Sequence, residues 1–146
     1  MLRSRILLTA LAFAALTAIG AAASAPTIVT PQSAKWGPAP GFPGWQMAPV
    51  VGDASKAGAY YAYLLKVPDG GKAMPHMHGS AETVVVISGT LMVGLGDTMD
   101  AAKMKPLGPG SIVSVPAGVH HYAMAKGPTV IEISGIGPDS TTMLHK

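Results

Sequence analysis

Two short stretches hold the side chains with most chemical potential in this chain: Gly70-x5-His76-x-His78-x3-Glu82-x6-Gly89 and Gly110-x5-Pro116-x-Gly118-x2-His121. Imidazoles and carboxylates are common ligands of divalent transition metals. His76 and His78 are two residues apart, so on a strand both rings leave the same face and can meet one ion. Glu82 cannot reach that ion along the same straight strand. Four residues of strand cover roughly 13 Å, against a metal–oxygen bond of about 2 Å. The chain must bend between them, and Gly79-Ser80 is suitable turn chemistry. His121 starts a strand after the tight turn Pro116-Ala117-Gly118. The competing imidazole is His120, which strand alternation points out of the barrel. Ligands drawn from distant turns and strands need a closed sheet to bring them together.

The surrounding sequence supplies such a sheet. Glu82 opens the strand Thr83–Ile87, which stops at Ser88-Gly89. Ala59–Val67 alternates weakly and ends at Pro68-Asp69-Gly70; further strands are expected near Thr90–Gly94, Ser111–Val115, Tyr122–Ala125 and Val130–Ser134. Asp97–Lys105 is expected to form a helical turn or loop over the barrel mouth. Short strands with frequent Gly/Pro turns favour an antiparallel barrel or jelly roll over a helical fold. Pro26–Gly44 is rich in Pro, Gly and Ala and reads as an extended arm. Its neighbourhood carries Trp36, Phe42 and Trp45, and the two tryptophans are expected on a surface of this barrel or of a neighbouring subunit.

The two stretches resemble the paired motifs of the cupin superfamily of small antiparallel β-barrels. The resemblance covers His76, His78, Glu82 and His121, and also Gly70, Gly89, Gly110, Pro116 and Gly118. It departs at Ala125, where the second motif usually has Asn, a pocket residue and not a ligand. The stretch from Trp36 to Pro138 is similar to small bacterial single-domain cupins. What the resemblance implies is an all-β, cupin-type double-stranded β-helix. One divalent transition metal (Fe, Mn, Zn, Ni or Cu) would be held by His76, His78, Glu82 and His121. The implied partner is a small-molecule ligand or substrate, and homodimers through paired sheets are implied as well.

The first two dozen residues are a separate object. Arg3 and Arg5 precede the apolar run Ile6–Ala22, and small residues follow at Ala21–Ala25. This is the layout of a secretory signal peptide, residues 1–23, with cleavage expected after Ala23 and after Ala25 as the alternative. The apolar run is shorter than the roughly 20 residues a spanning helix needs, so no integral membrane segment is expected after processing. The expected location is periplasmic or secreted. Residues 26–58 then form the arm and first strand or strands, and 59–146 the barrel. About 120 mature residues suit one core and not two domains.

Both arginines of the chain lie in the leader. The rest carries eight lysines against seven acids, so the formal charge falls from +3 to +1. No lysine cluster or aromatic-basic stripe remains, which argues against nucleic acid. The chain has no cysteine, so its stability in an oxidising compartment must come from the core.

Other chemistry is weaker. Glu132 lies inside the apolar strand Val130–Ile133 and is a candidate pocket acid or base if it faces inward; Glu82 is a second candidate acid–base. Tyr60, Tyr61 and Tyr63 are expected to divide between core and pocket wall. Met74, Met77 and Met124 flank the ligands and are read as pocket wall and core, with soft ligation of copper as the alternative. No Ser sits in a nucleophile elbow, and Gly94-x-Gly96 precedes no helix and is not a phosphate loop. His145 is expected to be solvated. Three imidazoles and a carboxylate leave open positions on a five- or six-coordinate ion. Two functions are therefore carried forward. One is a metal-dependent enzyme of oxygenase, isomerase or lyase type acting on a small oxygenated organic molecule. The other is a non-catalytic binder of a metal or small ligand.

Overall fold

The computed structural model describes residues 25–30 and 32–144. The leader and His145 lie outside the described residues. Among the described residues, eleven strands form two antiparallel sheets. In chain order they are β1 Gly37–Pro38, β2 Gln46–Val51, β3 Tyr60–Val67, β4 Lys72–His78, β5 Glu82–Ser88, β6 Leu91–Leu95, β7 Lys105–Leu107, β8 Ile112–Val115, β9 His121–Ala125, β10 Thr129–Ile136 and β11 Thr141–Met143. One sheet runs β1-β2-β3-β10-β5-β8 and the other β11-β4-β9-β6-β7. Consecutive strands repeatedly fall in opposite sheets, so the two inner faces enclose one core, as an antiparallel double sheet requires.

Strand alternation decides what faces that core. In β5, Glu82, Val84 and Val86 are buried, while Thr83 and Val85 are only partly covered. In β10, Ile131 and Ile133 are buried and Glu132 between them is not. The core gathers Tyr61, Leu65, Val67, Val84, Val86, Leu91, Ile131 and Ile133. Each such side chain contributes about 1.5–3 kcal/mol of transfer free energy on burial, and in a chain without cysteine this is the main source of cohesion. Gly94 is required by the packing: a Cβ there would run into the ring of Tyr122, which is fully buried under the loop after β6 and donates its hydroxyl to the Asp100 carbonyl at 3.4 Å. That loop holds one 3-10 turn, Ala101–Lys103, capped by Asp100.

The arm differs from expectation. Trp45 is buried inside the barrel, 5% exposed, with Phe42 stacked on it at 4.8 Å between ring centres. The reason is that β2 pairs along β3 and draws the preceding aromatics onto the core. Trp36 packs outside, under the ammonium of Lys66 at 3.8 Å from the ring centre. The aromatics of the arm are thus accommodated by their own chain. Tyr60 is also a correction: it is half exposed on the outer face, while Tyr61 is core and Tyr63 faces the interior.

Candidate metal centre

The site is built where β4, β5 and β9 approach one another inside the barrel. Three inward residues of β4, Ala73, His76 and His78, do not follow strict alternation. Against β9, Ala73 pairs with Ala123 and His76 with His121, so β4 carries one extra residue in between. This β-bulge turns His76 back to the inner face and sets it directly opposite His121, the use to which bulges near functional sites are commonly put. The turn before β9 is tied to the end of β4 by Gly118 N–H donating to the His78 carbonyl at 2.9 Å. That bond adds to the β4–β9 pairing in linking the two halves of the ligand set. Gly79-Ser80 provides the bend anticipated from the sequence, and Glu82 follows as the first residue of β5.

His76, His78, Glu82 and His121 are each at most 7% exposed. One ring nitrogen from each of His76, His78 and His121 lies within 4.8 Å of the others. Two of the rings have their tautomer decided by a carbonyl, which can only accept. His76 Nδ1 donates to the Met74 carbonyl at 2.7 Å, and His121 Nδ1 to the Val119 carbonyl at 3.0 Å. Their Nε2 lone pairs are therefore directed into the site. Glu82 Oε1 lies 3.3 Å from His121 Nε2 and 3.4 Å from His78 Nε2. Donors bound to one ion at about 2.1 Å, at angles between octahedral and tetrahedral, stand roughly 3.0–3.4 Å apart. The three imidazoles can thus hold one ion, and the Glu82 carboxylate stands at ligand–ligand distance from two of them, His78 and His121.

Electrostatics divides the imidazoles. Burial lowers the pKa of His76 to about 4, outweighing the Met74 carbonyl that pulls it up, so its lone pair is free near neutrality. Burial also pulls His121 down, but the Glu82 carboxylate and the Val119 carbonyl outweigh it, and its pKa is raised. Tyr63 on the cavity wall is pushed up by burial first and by Glu82 second, so it stays a neutral phenol.

The four residues open onto a cavity of about 80 Å³ whose other walls include Phe42, Trp45, Tyr63, Val84, Ile133 and Thr141. Its lining contains no lysine or arginine and no methionine. The Met expectation is therefore corrected. Met77 and Met124 alternate with inward residues and face away, and Met74 is 48% exposed. Glu132 is corrected too. It pairs with Leu64 and Val85 on the outer face, while its neighbours Ile131 and Ile133 line the cavity. His120 points outward and is held by Asp97 at 2.6 Å. The residues that sequence reading missed are Phe42 and Trp45 as cavity wall, and Asp139 and Thr141 beside His78. The only signal for the first pair was the presence of aromatics in a Pro/Gly arm. Of the second pair, Thr141 lies on the short C-terminal strand β11 and Asp139 just before it, a segment with no pattern of its own.

Comparison with known proteins agrees with this architecture. Residues 63–133 match the family described as Cupin domain. Germin-like protein subfamily T member 3 of Arabidopsis thaliana is 37% identical over 68 residues, which is 46% of this chain and 30% of that protein. The chain thus spans about a third of that relative's length. The polyketide cyclase RemF of Streptomyces resistomycificus superposes with a TM-score of 0.63 at 18% identity, covering 84% of this chain and 89% of the cyclase. Salicylate 1,2-dioxygenase of Pseudoaminobacter salicylatoxidans, in its adducts with gentisate, superposes with a TM-score of 0.60 at 16% identity, covering 75% of this chain and 31% of that enzyme. With both motifs in place around one three-histidine cluster in a two-sheet barrel, residues 63–133 of this chain are a cupin domain.

Proposed function

We propose that this cupin is an exported, metal-dependent enzyme acting on a small oxygenated organic molecule by oxygenase, isomerase or lyase chemistry. The observation that carries the reading is the convergence of His76, His78, His121 and Glu82 at one end of an otherwise apolar cavity. A divalent ion held there would supply the positive charge that polarises a carbonyl or enol oxygen. The cavity offers a substrate oxygen no cationic side chain, so an ion at the histidines would be its one source of positive charge. Glu82 is the one carboxylate among the lining residues, and it is the group placed to accept or return a proton next to a bound oxygen. Val84, Val113, Ile131 and Ile133 exclude water from that exchange.

Size narrows the substrate. An apolar cavity of about 150 Å³ takes up benzene, and this one is smaller, about 80 Å³. The group that enters is therefore small, a short 2-hydroxy ketone, enediol or enol. The polyketide cyclase and the dioxygenase support the reading at the level of the fold. Export rests on the leader, and a homodimer on the family resemblance; sedimentation of a strictly monomeric protein would remove the dimer.

The test is to load the purified protein with single metals, determine the bound ion by elemental analysis, and titrate small 2-hydroxy ketones and enediols. The expected result is a perturbed optical or paramagnetic spectrum and turnover of at least one compound. Tight metal uptake with neither response across the panel would favour the non-catalytic binder.

A further inference from the structure

His78 is the one imidazole of the cluster whose outer nitrogen does not face a backbone carbonyl. Its Nδ1 lies 3.3 Å from Asp139 Oδ2 and 3.4 Å from Thr141 Oγ1. The Asp139 side chain is only 8% exposed. Its other oxygen, Oδ1, accepts from the Ser80 hydroxyl at 3.2 Å, and its backbone N–H donates to the Ala54 carbonyl at 2.7 Å. The chain around it is clamped. Gly79 N–H donates to the Ser140 carbonyl at 2.9 Å, and β11 pairs Thr141 with His78 and Met143 with His76. A Cβ on Gly137 would meet the Lys56 and Ala54 carbonyl oxygens at 2.5 and 2.7 Å, so glycine is needed where the strap begins. A buried carboxylate held this close to an imidazole nitrogen is placed to accept its Nδ1–H, which leaves the Nε2 lone pair directed inward.

We infer that Asp139, carried by the C-terminal strap, is a positioning residue for the metal centre: it holds the tautomer and orientation of His78. The inference rests on the proposed metal site for its consequence, but its geometry concerns His78 alone. A carboxylate behind a metal-binding histidine differs from a carbonyl in charge, and loss of such a partner weakens metal binding by about 10–100-fold. Thr141 is the weaker partner, since a hydroxyl can give or accept and does not decide the tautomer.

The experiment compares wild type, Asp139→Asn and Asp139→Glu. Asparagine keeps the shape of the strap and an oxygen for Ser80 but removes the charge. With cobalt(II) as probe, Asp139→Asn should bind about 10–100-fold more weakly and show a shifted visible spectrum, with thermal unfolding close to wild type. Asp139→Glu should recover part of both. Asp139→Asn with wild-type cobalt affinity and spectrum would overturn the inference. If the wild type takes up no cobalt, nitrogen NMR of the metal-free protein decides instead. An Nδ1-protonated His78 in wild type that becomes a tautomer mixture in Asp139→Asn upholds the positioning role, and an unchanged ring signal overturns it.

Discussion

Glu82 and His121 meet across the two sheets: Glu82 opens β5 in one, His121 opens β9 in the other, and their Oε1 and Nε2 atoms stand 3.3 Å apart. The contact is the main reason His121 holds its proton more tightly than an ordinary imidazole despite its burial. Glu82→Gln should therefore lower the His121 pKa in the metal-free protein, read by NMR titration. It should also weaken metal binding by roughly tenfold or more, as removal of a partner in the coordination set does. An unchanged His121 titration would show that the pair is not coupled in solution.

His76→Ala, His78→Ala and His121→Ala should each abolish most metal uptake while leaving the strand spectrum in circular dichroism intact. His120→Ala should bind metal as wild type does, because that ring faces outward and is engaged by Asp97. Loss of binding in His120→Ala with retention in His121→Ala would reverse the assignment of the second motif.

Two pH effects of opposite sign are built into the site. The pKa of His76 is depressed from 6.5 to about 4. Between those values the unfolded chain binds the extra proton, so stability of the metal-free protein is full above pH 6.5 and is lost as the pH falls toward 4. His76→Gln should flatten that part of the stability profile in urea titrations. The raised pKa of His121 acts the other way on stability, its contribution being present below pH 6.5 and lost as the pH rises through its folded value. For metal uptake, the proton on His121 competes with the ion. Apparent affinity should therefore begin to fall above pH 6.5 as the solution is acidified, and a pH-independent affinity would contradict this.

Trp45 stands in both core and cavity wall. Trp45→Ala should cost about 3–5 kcal/mol in chemical denaturation and open the cavity at the Phe42 side. A loss below about 1 kcal/mol would place Trp45 with surface residues instead.

Processing of the leader is checked by intact mass of the protein recovered from its native compartment. Loss of residues 1–23 is expected, with 1–25 as the second choice. Full-length chain in the membrane fraction would end the export proposal.

What the sequence determined by itself was local. The two-residue spacing of His76 and His78, the bend at Gly79-Ser80, the start of β5 at Glu82 and the Pro116–Gly118 turn before His121 are properties of a few adjacent residues, and the structure reproduces each of them. Alternation also separated His121 from His120, because Pro and Gly mark where that strand begins. The tertiary structure decided what depends on partners far along the chain. The direction of Glu132 is set by its register with Leu64 and Val85, and an apolar run on both sides of it carries no phase. The pairing of His76 with His121 needs a bulge defined by two strands together. Phe42 and Trp45 enter the core only because β2 aligns on β3. Asp139 reaches His78 only because β11 returns to β4, a pairing across some sixty residues that no local spacing encodes.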